Sequence, residues 1–179
     1  TIVNPSHLSV ELQNDLCARC HLQGNAVLQE NKSFFDFLPG MYLQDVMDVY
    51  LPRYSNANNE FIMASHVDRM KLSKCYINSN ELLSCIDCHN PHHSVKEMPV
   101  NFFNSRCFNC HVDTDCHENK TKKNNINNDC ISCHMPNSQT IDIPHVTITD
   151  HKIGIYHTDS LKKDTLKKEF LGLECVNNP

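Results

Sequence analysis

The 179-residue chain is poor in several features that commonly indicate a class of protein. It has four glycines, no tryptophan and no apolar run of about eighteen residues that could span a membrane. Acidic residues outnumber basic ones by 21 to 16, which gives no support for nucleic-acid binding because that function needs a basic face. The chain starts at "TIVNPSH" without an initiator methionine or a signal peptide, so we expect a processed protein or a fragment.

Cysteine and histidine, in contrast, are abundant, with 11 and 12 copies. Disulfides explain a high cysteine content in many exported proteins, but they do not explain the histidines. A bound metal or haem explains both residue types, because thiols and imidazoles are the side chains that attach to these groups.

The pattern Cys-x-x-Cys-His occurs four times, as "CARCH", "CIDCH", "CFNCH" and "CISCH". It is the attachment signature of c-type haem, in which two thioether bonds hold the porphyrin and the histidine is the proximal iron ligand. A single copy also fits a redox dithiol or half of a zinc site, but four copies with a trailing histidine favour four haems. The predicted thioether cysteines are Cys17, Cys20, Cys85, Cys88, Cys107, Cys110, Cys130 and Cys133, and the proximal histidines are His21, His89, His111 and His134.

Eight further histidines are available as distal ligands. In "CHNPHH", Pro91 turns the chain, so we expect His92 to bind a neighbouring haem rather than its own. His66 shares a helix face with Met70, which is the competing ligand and would raise the potential of that haem. His145 and His151 follow the fourth motif. The distal candidates are therefore His66, His92, His145 and His151, with His7 and His117 in reserve, His93 and His157 unassigned, and Met135 assigned to packing.

Three cysteines lie outside the motifs: Cys75, Cys116 and Cys175. Cys75 lies before the second motif and Cys116 after the third, so a disulfide between them would hold the second and third haems close together. Cys175 is then either free or paired with another chain. The alternative is three reduced thiols, which fits poorly with haem attachment outside the cytoplasm.

The predicted fold is mainly α with long irregular loops, organised around stacked haems and with little β-structure. Helices are expected around the motifs, in "LQDVMDVYLP" up to Pro52, in "NNEFIMASHVDRMKLSKC" and in the tail "SLKKDTLKKEFLGL". "HVTITDH" is expected to be extended and "TKKNNINNDC" to form a surface loop. Covalently attached porphyrins would supply the apolar surface that the chain itself has in modest amount.

The motif positions also predict the domain organisation. Residues 1–154 would form a tetrahaem module, in which 1–79 surround the first haem and 80–154 hold the other three. Cys85, Cys107 and Cys130 are 22 and 23 residues apart, so their haems are expected to be close neighbours. Residues 155–179 would form a helical C-terminal tail.

The order of "CHNPHH", "CHMP" and the trailing "H…TDH" resembles multihaem c-type cytochromes related to the hydroxylamine-oxidation electron carrier. Such proteins are often fused to tetratricopeptide repeats, and this chain resembles their C-terminal tetrahaem module over roughly residues 2 to 154. The resemblance implies His92, His145 and His151 as distal ligands. Larger members carry further haem motifs upstream, which are not present here.

The favoured function is electron transfer through four mostly bis-histidine haems, with no catalytic residue assigned. One alternative is a haem enzyme acting on nitrite, hydroxylamine or sulfur compounds at an open iron, with the first haem the best candidate. The other is a subunit of an extracellular filament, with haems continuing across the interface of a homo-oligomer. Expected partners are redox proteins with a basic docking patch, and the expected location is the periplasm or the cell surface.

Overall fold

The computed structural model describes residues 2–55, 62–112, 116–140, 143, 145–156 and 169–178. Its helices are α1 Val10–His21, α2 His66–Lys71, α3 Lys74–Asn78, α4 Cys85–Cys88, α5 Val100–Cys107, α6 Lys120–Asn125 and α7 Cys130–His134. Its strands are β1 Asn25–Leu28, β2 Met47–Tyr54, β3 Asn137–Gln139, β4 Thr147–Thr149 and β5 Phe170–Cys175. Short 3-10 turns cover Pro5–His7, Leu43–Asp45 and Val95–Glu97.

The strands form two antiparallel sheets, one of order β1-β2-β5 and one made of β3 and β4. In the larger sheet, Asn25 pairs with Tyr50 and Tyr50 pairs with Cys175. The Asn177 side chain extends this pairing, because its Oδ1 accepts from Val49 N at 2.7 Å and its Nδ2 donates to Met47 O at 2.9 Å. The C-terminal segment is therefore held against the centre of the sheet.

The main hydrophobic core lies between α1, the larger sheet and α2. Alternate residues of β2 point into it, as expected for a strand with one covered face. The buried cluster consists of Ala18, Leu22, Leu43, Val46, Met47, Val49 and Val67. This core fixes the end of α1, and with it the first Cys-x-x-Cys-His motif, against the start of α2.

Several local predictions are confirmed. Helix α1 begins after Ser9, whose side chain accepts from Leu12 N, and it carries the first motif at its end. Helix α5 leads into the third motif, α7 is formed by the fourth motif itself, and β4 is extended as its β-branched residues predict. The helix expected around His66 is present only from His66 onwards, as α2 and α3; residues 62–65 are not helical, and residues 58–61 of that prediction lie outside the described residues.

The mainly α prediction is wrong: helices make up 36% and strands 17% of the described residues, which is a mixed α/β fold. The helix expected in "LQDVMDVYLP" is a 3-10 turn followed by β2, with Pro52 inside the strand. The alternation of Met47, Val49 and Leu51 with less buried residues follows the period of a strand, and pairing on both sides of β2 stabilises it.

Two further predictions need correction. The tail was expected to be helical up to Gly172, but Phe170–Cys175 is strand β5; residues 157–168 lie outside the described residues. The loop expected in "TKKNNINNDC" contains helix α6, and only the asparagines after it form a turn, with positive φ at Asn127 and Asn128. In the part of the chain that the structure describes, no helix is long and apolar enough to cross a bilayer.

Candidate haem-binding site

All four Cys-x-x-Cys-His motifs lie on or at the end of a short helix. In the second motif, His89 N donates to Cys85 O, and in the third, His111 N donates to Cys107 O, both at 2.9 Å. These are the i to i−4 bonds of one helical turn, which places the histidine next to the first cysteine. The spacing of the motif therefore gives each histidine the local position that a proximal ligand needs.

Four imidazole rings converge beside α1 and α2. The centroids of His21 and His66 are 5.5 Å apart, those of His66 and His151 are 4.7 Å apart, and those of His89 and His151 are 6.0 Å apart. Two of these residues are predicted proximal ligands and two are predicted distal ligands. The fold thus brings His66 and His151 to the first two motifs.

The environment of this imidazole cluster favours neutral rings. Burial lowers the pKa of His66 and of His89, and the nearby His21 contributes to both shifts. Burial, with a smaller effect of His66, lowers the pKa of His151 to about 4. A neutral imidazole keeps a lone pair on one ring nitrogen, which is the form that binds a metal.

Backbone carbonyls fix the orientation of two of the predicted ligands. The ring of His151 contacts Thr149 O through Nδ1 at 3.1 Å, and the ring of His134 contacts Gly154 O through Nδ1 at 2.9 Å. A carbonyl can only accept a hydrogen bond, so in each ring Nδ1 carries the proton and Nε2 is left as the ligating atom.

A buried ion pair that was not predicted connects the two distal candidates. Arg69 Nε donates to Asp150 Oδ1 at 2.8 Å, and Arg69 Nη2 donates to Asp150 Oδ2 at 2.5 Å. Both side chains are only 5% exposed. Arg69 lies one helical turn after His66, and Asp150 directly precedes His151. The pair therefore holds α2 against the segment after β4.

The first cysteines of the motifs influence one another in two pairs. Cys85 is the largest cause that lowers the pKa of Cys17 to about 7, and Cys17 in turn raises the pKa of Cys85. Burial, with a smaller effect of Cys130, raises the pKa of Cys107 to about 11. All eleven cysteines are described, and no disulfide joins any two of them in this structure. The disulfide between Cys75 and Cys116 stays a prediction.

The other ligand candidates lie elsewhere. His92 and His145 are exposed, and His145 has a positive φ of 66°. His92 borders an open cleft together with His89, Asn90 and Arg106. Met70, the alternative to His66, is buried. His157 lies outside the described residues.

The residues around the motifs fit a covalently bound haem. Each motif supplies two thiols and an imidazole from one helical segment, and apolar side chains beside the motifs are exposed to solvent. These are Leu82, Val100, Phe108 and Val112, with exposures of 65%, 45%, 48% and 63%. A porphyrin offers the flat apolar surface that such side chains would cover. No group of three or more His, Cys, Asp or Glu side chains among the described residues is arranged to hold a bare metal ion.

One comparison with known proteins gives a match. Residues 80–115 fit the family model described as "Doubled CXXCH motif". This range contains the second and third motifs, so haem c attachment and a multihaem cytochrome feature are supported by comparison as well as by spacing. No curated protein and no solved structure matches the chain.

Proposed function

We propose that the chain is an electron-transfer c-type cytochrome that carries four covalent haems, of which at least two have two histidine ligands. The observation that carries the proposal is the convergence of His21, His66, His89 and His151 beside two motifs. When bound, c-type haem supplies an iron that gains and loses one electron, so that neighbouring haems can exchange electrons.

The ring distances support a specific pairing of ligands. A metal–imidazole bond is about 2 Å long, so two rings that bind one metal from opposite sides have centroids about 6 Å apart. The distance between His21 and His66 is 5.5 Å, and that between His89 and His151 is 6.0 Å. We therefore assign His66 to the first haem and His151 to the second. His92 and His145 are retained as the proposed distal ligands of the third and fourth.

Two protein ligands on an iron leave no position for a substrate. This is the reason to favour an electron carrier over an enzyme for the first two haems. The role of the polypeptide is to hold each imidazole in place, to keep it neutral and to exclude water. Arg69 and Asp150 contribute by fixing the two chain segments that carry His66 and His151.

Intact mass spectrometry tests the haem count. The purified protein is expected to carry four haems that survive denaturation, because thioether bonds are covalent. Alkylation of the denatured, unreduced protein should then modify only cysteines outside the motifs. Three modified cysteines would mean free Cys75, Cys116 and Cys175, whereas one would support the predicted disulfide. Fewer than four haems would contradict the proposal.

Electron paramagnetic resonance and carbon monoxide binding test the ligation. The oxidised protein is expected to show low-spin signals only, and the reduced protein is expected not to bind carbon monoxide. A high-spin signal together with bound carbon monoxide would reveal an open iron and would favour the enzyme function instead. Export to the periplasm or cell surface belongs to the same proposal, because c-type haem is attached outside the cytoplasm.

A further inference from the structure

The same asparagine contact occurs twice in the chain. Asn14 Nδ2 donates to Leu83 O at 3.1 Å, and Asn14 Oδ1 accepts from Cys85 N at 3.1 Å. In the other half, Asn104 Nδ2 donates to Asn128 O at 2.8 Å, and its Oδ1 accepts from Cys130 N at 3.2 Å. Each asparagine thus binds the first cysteine of another motif and the residue two positions before it. We call each arrangement an asparagine clamp.

The two clamps occupy equivalent positions in the sequence. Asn14 lies three residues before Cys17, and Asn104 lies three residues before Cys107, so each is one helical turn ahead of its own motif. Both side chains are buried, with 4% and 8% exposure. A buried side-chain amide that is hydrogen-bonded on both its nitrogen and its oxygen fixes the position of its two partners. Displacing either partner would leave a buried polar group unsatisfied.

The clamped motifs are also alike. Each is preceded by a short helix, α3 or α6, which is followed after one intervening residue by two consecutive residues with positive φ. These are Asn80 and Glu81 in one case and Asn127 and Asn128 in the other. The closing hydrogen bonds match as well: Glu81 N donates to Tyr76 O at 3.0 Å, and Asn128 N donates to Lys123 O at 2.8 Å. This is the turn that commonly ends a helix.

The two clamps join residues at very different separations in the sequence; we call the chain from each asparagine to the cysteine it contacts a unit. Asn14 and Cys85 are 71 residues apart, whereas Asn104 and Cys130 are 26 residues apart. The extra length in the first unit holds β1, β2 and α2, and most residues of the buried core cluster lie within it. The same local contact is therefore made across two very different connections, so the short connection alone does not explain it.

We infer that Asn14 and Asn104 are equivalent positioning residues, each of which sets the relative position of two haems, so that the chain consists of two haem pairs. The first pair is carried by the motifs at Cys17 and Cys85 and the second by those at Cys107 and Cys130. The inference rests on the proposed function, because it needs all four motifs to carry haem. In each pair the helix before one motif is hydrogen-bonded through its asparagine to the first cysteine of the other motif, so the attached edges of the two porphyrins would be close together.

The test compares Asn14→Leu, Asn104→Leu and the double variant in the oxidised protein with its haems attached. Leucine has nearly the size of asparagine but makes neither hydrogen bond. Proton NMR resolves the haem methyl signals, which are sensitive to the orientation of each haem and its ligands. We expect each single variant to shift about half of these signals, the two sets to be disjoint, and the double variant to shift all of them. Asn101→Leu, an exposed position on α5, is the matched control and should shift few signals.

Two outcomes would overturn the pairing: both single variants shifting the same signals, or neither shifting any while four haems are attached. If a leucine variant fails to fold, Asn14→Asp and Asn104→Asp keep the acceptor for the cysteine N–H and replace the donor by a carboxylate oxygen, which faces the carbonyl of Leu83 or Asn128. They should give the same disjoint sets, and overlapping sets would again contradict the inference. Fewer than four haems by intact mass would remove the proposed function and the pairing together, whereas four haems with overlapping sets would remove the pairing alone.

Discussion

His66 and His151 are the two predicted distal ligands that the fold places beside predicted proximal rings. Their ring centroids lie 5.5 Å from that of His21 and 6.0 Å from that of His89, respectively. We expect His66→Ala and His151→Ala each to convert one haem to a high-spin form that binds carbon monoxide after reduction. His93→Ala, at an exposed position next to His92, is the control and should leave the spectrum unchanged.

The spectra can also separate the two assigned ligands from the other candidates. His92→Ala and His145→Ala are expected to change one haem each if these residues bind the third and fourth irons. If they change nothing while His66→Ala and His151→Ala each open an iron, the ligands of the last two haems must be sought elsewhere. Low-spin spectra for His66→Ala and His151→Ala would refute the proposed pairing of ligands.

Arg69 and Asp150 form the most buried ion pair among the described residues, and each side chain compensates the buried charge of the other. Breaking such a pair by removing one partner typically costs about 3–5 kcal/mol, because an uncompensated charge stays buried. We therefore expect Asp150→Asn to lower the free energy of unfolding by about this amount, measured by denaturant titration of the oxidised protein.

The pair formed by Arg53 and Asp68 is a suitable control, because the Arg53 side chain is 34% exposed. Asp68→Asn should cost about 1 kcal/mol or less, as is usual for partly exposed pairs. Equal losses for Asp150→Asn and Asp68→Asn would show that the buried pair has no special role. A double change of Arg69→Met and Asp150→Leu should recover part of the loss.

At the level of elements, the junction between α1 and β1 leaves no room for a side chain. A Cβ at Gly24 would lie 2.6 Å from Val49 Cγ1 and 2.9 Å from Tyr50 O. We expect Gly24→Ala to destabilise the protein by about 1–3 kcal/mol, as overpacking commonly does. The strand β2 would have to move away from the end of α1, which carries the first motif.

Gly154→Ala is the matched control for this prediction. Its Cβ would meet nothing closer than 3.9 Å, and its carbonyl contact with His134 belongs to the backbone and would be kept. Denaturation midpoints of the two variants should therefore differ clearly, with Gly154→Ala close to the parent protein. Similar midpoints would mean that β2 is not packed against Gly24 as described.

At the level of the whole molecule, net charge bears on the choice of partner. The chain has a formal charge of −5, and haem propionates would add further negative charge. We expect electron transfer to a basic partner protein to slow as salt is added, because the screening length falls from about 30 Å at 0.01 M to about 8 Å at 0.15 M ionic strength. Stopped-flow rates across this range provide the measurement, and an acidic partner serves as the control. A rate that does not depend on salt would count against a basic docking patch.

The sequence by itself determined the parts of this protein that depend on neighbouring residues. The spacing within "CARCH" or "CISCH" is about one helical turn, so the thiols, the proximal histidine and the short helix around them follow from local geometry. Ser9 at the start of α1 and the β-branched residues of β4 were predictable for the same reason.

Only the tertiary structure decided the features that join distant parts of the chain. β2 is a strand because it pairs with β1 and with β5, more than 110 residues away, and this pairing outweighs the local helical pattern that ended at Pro52. Likewise, the approach of His66 and His151 to the rings of His21 and His89, the ion pair between Arg69 and Asp150, and the asparagine clamps all arise from contacts across the fold. No local pattern contains them, because the free energy that selects them comes from burial and hydrogen bonding between segments that meet only after folding.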